Sequence, residues 1–338
     1  MSNRWAWGIK ITLTAGILGY LFFQVDWAQL GAEFAKTKPW WYALAILITL
    51  CGMILTAFRW RWLLRIQGIP LTLRKAFSLT FIGMFFNAFF LGTTGGDITK
   101  LYYITKEAPD RKARAVLSVV MDRAIGLFAL LFIGLLTLPF KARVLWQDDD
   151  TRLLSLTLLS LFAIGLAGLL FVFLTPFQKA PQSFKNLWAK VPGNEIVATM
   201  IEGIKQHGRS ARLTFAAFSL SLLLQFFLLL GGWFLAFALE IPVSLVTIMI
   251  ILVIVQVAIS LPISIGGHGV REGVVIVLFM AFGIIGQEDS AVGTETAIAF
   301  SILFFSLQLF CSLVGGVVYL FRKDRSPTSQ DPQLSSPS

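Results

Sequence analysis

The chain has 338 residues, of which 57% are hydrophobic and 14% are charged. Soluble domains carry about 25% charged residues, so this composition excludes an ordinary soluble enzyme and indicates an integral membrane protein. The net charge of +10 does not indicate nucleic-acid binding, because Lys and Arg lie between apolar segments and form no basic stripe. We therefore expect no nucleic-acid partner.

Nine apolar segments approach the length of about 20 residues that a membrane-crossing helix needs. In chain order they are 8–24, 41–58, 76–91, 113–138, 153–174, 213–239, 244–261, 270–286 and 296–321. The first has no clear signal-peptide cleavage site after it, so we interpret it as a retained helix. The polar tail 322–338 is predicted to be disordered and cytoplasmic.

The Lys and Arg residues are concentrated in three connections and the tail. Connections 59–75 and 93–114 hold five each, and connection 175–212 holds six. Because cytoplasmic connections carry an excess of positive charge, we place all three, with the tail, in the cytoplasm. The first two can share a side only if 76–108 forms a hairpin that turns at Gly92–Asp97.

The second half of the chain predicts a matching hairpin of opposite direction. Connections 240–243 and 287–295 hold no Lys or Arg, which places both outside if 244–286 enters from outside and returns. The result is an all-α polytopic protein with six full transmembrane helices, two broken or re-entrant hairpins and both termini cytoplasmic. It forms one transmembrane domain, 1–321, whose halves, about 8–138 and 153–321, are related as an inverted repeat.

The motif at 262–272 interrupts the second hairpin and contains Ser264. Pro262 favours a helix end near 261, and three glycines permit an irregular backbone, namely Gly266, Gly267 and Gly269. A helix is expected to restart near Val270, where its free N–H groups and positive dipole end form an anion site. The alternative is an extramembrane turn.

Arg271 and Glu272 lie in the first turn of that restarting helix. The Arg271 guanidinium suits bidentate contact with a phosphate, and Glu272 could tether Arg271 or carry a proton. His268 stands four residues before Glu272, but the second histidine of a zinc site is missing. We predict no metal and no cofactor, and the alternative role for the charged residues is an Arg–Glu pair that stabilises the turn.

The motif at 92–97 interrupts the first hairpin. Asn87 lies in the entering arm, and Asp97 is a plausible N-cap for a helix that begins at Ile98, with Lys100 one turn on. A substrate role for Asp97 is the alternative. The turn is predicted to rest on three glycines, Gly92, Gly95 and Gly96.

The apolar helix 113–138 contains the adjacent charged residues Asp122 and Arg123, about 13 Å from its start. Adjacent helical residues point about 100° apart, so the two are expected to reach different partners. We predict that Lys100 contacts Asp122 and that Asp97 contacts Arg123. Pairing that serves helix assembly alone is the alternative to a role in a substrate path.

These motifs resemble the lysylphosphatidylglycerol synthase transmembrane-region family, which includes the flippase half of the multiple peptide resistance factor and stand-alone relatives. The resemblance covers about residues 10–321, and its most specific part is the Pro-x-Ser-x-Gly-Gly-x-Gly-x-Arg-Glu block at 262–272. It implies movement of a phospholipid or polyprenyl-type lipid between the leaflets of a bacterial cytoplasmic (inner) membrane. The aminoacylating domain of two-part relatives is not expected here, since the chain stops at Ser338.

Three functions remain open from the sequence. The leading one is a lipid flippase without its own ATPase, more a transporter than an enzyme, with no catalytic residues assigned. A membrane-embedded transferase that uses a polyprenyl-phosphate donor is the second, with Asp97 and Glu272 as base and acid. The third is an accessory subunit of a separate synthase or glycosyltransferase partner.

Overall fold

The computed structural model of the protein describes residues 27–89, 95–146, 149–174, 202–203, 206, 210–260, 267–285 and 293–321. Within these residues the secondary structure is entirely helical, as predicted. The predicted first span at 8–24, the tail 322–338 and most of the connection 175–212 lie outside the described residues.

The described helices follow one another in chain order. They are α1 Trp27–Lys36, α2 Pro39–Ile66, α3 Leu73–Phe89, α4 Gly95–Glu107, α5 Lys112–Thr137, α6 Ala142–Leu145, α7 Asp149–Leu174, α8 Ala211–Ala238, α9 Leu245–Ser260, α10 Val270–Ala281 and α11 Thr294–Leu320. Short 3-10 turns precede α5 and α6. The helix α1 was not predicted, because its ten residues are amphipathic and only weakly apolar.

The long helices coincide with predicted crossings. Four helical segments are long and apolar enough to cross a membrane, at Pro39–Ile66, Pro109–Leu145, Arg212–Ala238 and Thr294–Leu320. The helix α7 has a comparable length of 26 residues. The protein is therefore an all-helical polytopic membrane protein, while the exact number of crossings stays a prediction.

Four shorter helices occur in two pairs, at the two places where hairpins were predicted. The helices α3 and α4 have 17 and 13 residues, and α9 and α10 have 16 and 12. The two members of each pair pack against each other. Because a crossing needs about 20 residues, α4 and α10 are each too short to cross a bilayer alone, which fits arms of broken hairpins.

Hydrogen bonds show which connections share an end of the helix bundle. The Arg111 guanidinium donates to the carbonyl oxygen of Gly68, which joins the connection after α2 to the one before α5. The Gln67 amide donates to the carbonyl oxygen of Gly203, at 3.1 Å. The three connections rich in Lys and Arg therefore meet at one end, as the charge pattern predicted, and the α3–α4 hairpin returns the chain to that end.

A second set of contacts forms the opposite end of the bundle. The backbone N–H of Lys38 donates to the carbonyl oxygen of Ala238 at 2.8 Å, and the Lys38 ammonium lies 2.6 Å from the Glu240 carboxylate. The hydrogen bond and charge of Lys38 lower the pKa of this exposed carboxyl. Connections 25–40 and 240–243 therefore share the end that the charge pattern assigns to the outside.

Close helix contacts at glycine fix the first hairpin against the second half of the chain. The helix α11 packs along α3, and a Cβ on Gly315 would overlap the carbonyl oxygen of Phe81. A Cβ on Gly316 would lie 2.7 Å from the Phe85 ring. Small residues let membrane helices approach this closely, so α11 supports the entering arm of the hairpin.

Candidate functional site

The arms of the first hairpin cross at a contact between two glycines. A Cβ on Gly96 would overlap the carbonyl oxygen of Gly83, and the Asn87 side-chain oxygen accepts a hydrogen bond from the Gly96 N–H at 2.7 Å. This contact holds the start of α4 against α3. It places Asn87 in the hairpin contact, where its amide satisfies a helix N–H that would otherwise lack a partner.

The predicted start of α4 was wrong. The helix begins at Gly95 and includes Gly96, so both residues belong to its first turn and not to the connecting turn. Asp97 is therefore not the N-cap of a helix from Ile98. The Asn87 side chain accepts the hydrogen bond from a first-turn N–H, that of Gly96. The Asp97 carboxylate is therefore available for a different partner.

A buried cluster of three charged residues lies beside this hairpin. The Asp122 carboxylate on α5 accepts from Arg59 Nε at 2.9 Å and lies 3.5 Å from Lys100 Nζ. All three residues are nearly inaccessible, with exposed fractions of 5%, 5% and 6% for Asp122, Arg59 and Lys100. The predicted contact between Lys100 and Asp122 is confirmed, and we call these three residues the buried triad.

The sequence interpretation missed Arg59. It was counted with the cytoplasmic connection 59–75, but α2 continues to Ile66 and carries Arg59 inside the bundle. Its Nη1 donates to the Ser221 hydroxyl on α8 at 3.0 Å, and Gly126 leaves room for the guanidinium, because a Cβ there would lie 3.1 Å from Nη1. The available signal was that the apolar sequence continues past Arg59 as far as Leu64, interrupted only by Arg61.

A second ion pair stands next to the buried triad and is partly open. Arg123 Nε lies 2.7 Å from the Asp97 carboxylate, which confirms the second predicted contact. The Arg123 side chain is 51% exposed and that of Asp97 18%. Arg123 lies 11 residues after Lys112, or about 16 Å along a helix of 26 residues, so the pair faces outward near the middle of α5.

The start of α10 carries the second charged cluster. Arg271 and Glu272 are 4% and 5% exposed, and Arg271 Nη2 lies 2.7 Å from the Glu272 carboxylate. Arg271 Nε donates to the Ser301 hydroxyl on α11 at 3.1 Å, and the guanidinium lies 4.7 Å from the centre of the Phe305 ring. The helix restarts at Val270 as predicted.

The backbone before α10 explains the glycine pattern. Gly267 and Gly269 adopt positive φ angles of 76° and 81°, which side chains other than glycine rarely allow. The Gly269 N–H donates to the second Glu272 oxygen at 2.6 Å, so Glu272 closes the helix start as well as neutralising Arg271. Ser264 and Gly266 lie outside the described residues.

His268 lies at the edge of this cluster. Its Nδ1 is 3.4 Å from Arg271 Nη2, and its ring packs edge-on against Phe305. Across the part of the chain that the structure describes, no three His, Cys, Asp or Glu residues are grouped closely enough to hold a metal ion. The two clusters thus consist of arginine and lysine side chains paired with carboxylates.

The fold and these two clusters define a class of polytopic helical membrane proteins in which charged residues cluster at two helical hairpins. Residues 6–315 match the model of the lysylphosphatidylglycerol synthase TM region family, and the chain belongs to that family. The resemblance inferred from the motifs is thereby confirmed. The chain is also similar to the UPF0104 membrane protein MJ1595 of Methanocaldococcus jannaschii, at 23% identity over 298 residues that cover 82% of this chain and 87% of the relative.

Proposed function

We propose that the protein is a lipid translocator that moves a phospholipid or polyprenyl-type lipid between leaflets of the bacterial cytoplasmic membrane. The observation that carries this proposal is the partly exposed Asp97–Arg123 pair, whose arginine lies near the middle of a mostly apolar helix. A charge at such a depth is costly unless it faces water, protein or a polar ligand. An exposed ion pair there indicates a polar surface that a lipid headgroup can follow.

The neighbouring groups support a path for a headgroup. Asp122, the residue before Arg123, belongs to the buried triad, and Lys100 follows Asp97 by one helical turn. A headgroup that contacts the Asp97–Arg123 pair would therefore remain beside fixed charges, while its acyl chains stay in lipid. Energy from a gradient of lipid or protons would suffice for such movement.

Arg271 is proposed as a further contact of the headgroup phosphate. Its Nε and Nη2 are occupied by Ser301, Glu272 and His268, but Nη1 forms no hydrogen bond to any residue that the structure describes. The pairing with Glu272 holds the guanidinium in place at the helix start. A phosphate oxygen could therefore bind to Nη1 without breaking that pair.

The test is lipid exchange in proteoliposomes, using headgroup-labelled anionic, zwitterionic and polyprenyl-phosphate lipids and an impermeant quencher. The variant is Asp97→Asn/Arg123→Gln, which keeps a polar side chain at both positions and removes both charges. We expect lipid movement to fall by at least about tenfold, corresponding to about 1.4 kcal/mol in the barrier. Arg271→Gln/Glu272→Gln tests the second cluster in the same way.

A matched control is available on the same hairpin. Lys75 and Glu107 form an ion pair at 2.7 Å, but at the outer ends of the two arms, with side chains 54% and 28% exposed. Lys75→Gln/Glu107→Gln should move lipid at the wild-type rate. No movement of any lipid by the wild type would contradict the proposal, and a modified lipid or a co-purified synthase would then indicate a transferase or an accessory subunit.

A further inference from the structure

The buried triad carries more positive than negative charge. Arg59 and Lys100 share the one carboxylate of Asp122, and all three side chains are at least nine-tenths buried. The adjacent Asp97–Arg123 pair is neutral as a whole and does not change this balance. Among the described residues, one positive charge of the triad therefore has no counter-charge of its own.

The excess charge lies at Lys100. Asp122 accepts from Arg59 Nε at 2.9 Å and lies 2.9 Å from Nη2, whereas its distance to Lys100 Nζ is 3.5 Å. Lys100 Nζ also lies 5.0 Å from the centre of the Trp60 ring. An ammonium has three N–H donors, and the aromatic ring offers its face but no hydrogen-bond acceptor of full strength.

Trp60, whose ring packs against Lys100, supplies a second donor without a partner in the described part of the chain. The residue is fully buried, and its Nε1–H has no acceptor among the residues that the structure describes. Buried polar groups without a partner are rare in folded proteins, so each requires an explanation. A ligand with oxygen acceptors and a negative charge would satisfy both Trp60 and Lys100.

The second cluster is balanced by comparison. Arg271 pairs with Glu272 at 2.7 Å, so its one full positive charge meets one full negative charge. An uncompensated charge buried in a medium of low dielectric constant is strongly unfavourable. Among the described residues, the unbalanced positive charge therefore lies at the first hairpin, whereas the charges of the second cluster cancel.

We propose that Lys100 and Trp60, beside the Arg59–Asp122 pair, form an anion subsite for the phosphate of a lipid headgroup. This inference rests on the proposed function and adds a substrate class to it, namely lipids whose headgroup carries net negative charge. A phosphodiester with one negative charge would neutralise the excess charge of the triad. The Asp97–Arg123 pair, whose arginine is about half exposed, lies next to the triad on α4 and α5, and it marks the route of entry.

The test measures binding by the purified protein in a non-ionic detergent, so that transport plays no part. Thermal unfolding and native mass spectrometry follow the addition of phosphatidylglycerol, phosphatidylcholine or inorganic phosphate. We expect phosphatidylglycerol to raise the melting temperature of the wild type more than phosphatidylcholine does. Lys100→Met should weaken phosphatidylglycerol binding by about tenfold or more, in line with the loss of one charge-assisted contact.

Two controls separate a binding role from a structural one. Lys75→Met removes a lysine that is also paired with a carboxylate, but at an exposed site, and should bind like the wild type. Lys100→Arg keeps the charge and should retain the preference for phosphatidylglycerol. If Lys100→Met lowers the melting temperature without lipid but keeps the wild-type preference for phosphatidylglycerol, the role of Lys100 is structural and the subsite is disproved.

The outcomes also separate this inference from the proposed function. Wild-type protein that prefers phosphatidylglycerol but moves no lipid in proteoliposomes would retain the subsite and contradict translocation. Movement of lipid with no preference for negative headgroups would retain translocation and contradict the subsite. An equal effect of inorganic phosphate, without a preference between the two lipids, would overturn the assignment to a lipid headgroup.

Discussion

At the scale of single residues, the two buried arginines are held in the same way. Arg59 contacts the Asp122 carboxylate and the Ser221 hydroxyl, and Arg271 contacts the Glu272 carboxylate and the Ser301 hydroxyl. The carboxylate supplies the counter-charge and the serine a further acceptor. A buried guanidinium needs both, because each N–H without an acceptor adds to the cost of removing it from water.

Removal of Arg271 alone should lower the free energy of unfolding far more than replacement of both Arg271 and Glu272. Arg271→Ala leaves Glu272 buried without a counter-charge, and we expect a loss of about 3–5 kcal/mol in the free energy of unfolding. Arg271→Gln/Glu272→Gln should lose clearly less, because no net charge remains. Unfolding in mixed micelles measures both, with Arg65→Ala, at an exposed position, as the control. Equal losses in the single and double variants would contradict this account.

Removal of the Ser221 hydroxyl should weaken the hold on Arg59. Ser221→Ala deletes the acceptor 3.0 Å from Arg59 Nη1, in a fully buried position. Hydrogen bonds to charged groups contribute about 1.5–3 kcal/mol, so we expect a loss of that size in the free energy of unfolding. Ser160→Ala, an exposed serine whose hydroxyl donates to its own helix, should change stability little. A neutral result for Ser221→Ala would mean that water replaces the serine.

At the scale of secondary-structure elements, the first hairpin depends on close backbone contact. The arms α3 and α4 approach so closely that neither Gly83 nor Gly96 has room for a side chain: a Cβ on Gly83 would lie 2.9 Å from Lys100 Cγ. The same contact sets the height of Lys100 relative to Asp122. The hairpin is therefore both a structural element and the support of the buried triad.

Gly96→Ala should separate the two arms. The added Cβ would overlap the backbone oxygen of Gly83, and overpacking of this kind costs about 1–3 kcal/mol in the free energy of unfolding. Gly273→Ala is the matched control, because it lies in the first turn of α10 with nothing within 4 Å of the new Cβ. Thermal unfolding measures the change in stability of each variant relative to the wild type. A loss for Gly273→Ala as large as for Gly96→Ala would show that the close contact is not the cause.

At the scale of the whole molecule, the charge pattern and the tertiary contacts agree on which connections share an end. Arg111 binds the backbone of Gly68, and Lys38 binds Glu240 at the opposite end. The contacts show which connections lie at the same end of the helix bundle, and they do so without reference to a membrane. The positive-inside rule then predicts which end faces the cytoplasm. The orientation stays a prediction that labelling can test.

Single cysteines at exposed loop positions should report this orientation. In a chain whose Cys51 and Cys311 are replaced by alanine, Thr72→Cys and Asp110→Cys should react with an impermeant maleimide only from the cytoplasmic side. Glu240→Cys should react only from the outside, since it lies at the other end of the bundle. Labelling of intact cells measures reaction from the outside, and labelling of inverted vesicles measures reaction from the cytoplasmic side. Reaction of Thr72→Cys and Asp110→Cys from opposite sides would contradict the first hairpin.

Much of the fold could be predicted because the membrane imposes strong rules on local sequence. Apolar length predicted the long helices, and the charge of the connections predicted which of them meet. Helix periodicity placed Asp122 and Arg123 on different faces, and the predicted first hairpin brought Lys100 and Asp97 near them as partners. Positions of helix ends were less accurate, as at Ile66 and Gly95, because they depend on side chains from other helices.

The sequence by itself determined the class of protein, the places of the two hairpins and the grouping of the connections, because these follow from hydrophobic length and charge along the chain. Only the tertiary structure placed Arg59 in the buried triad and left Lys100 as its excess cation. Arg59 and Asp122 are 63 residues apart, and Arg59 and Ser221 are 162 apart. Contacts over such separations depend on how helices pack, and no local pattern encodes the balance of charge within a site that three or four helices form together.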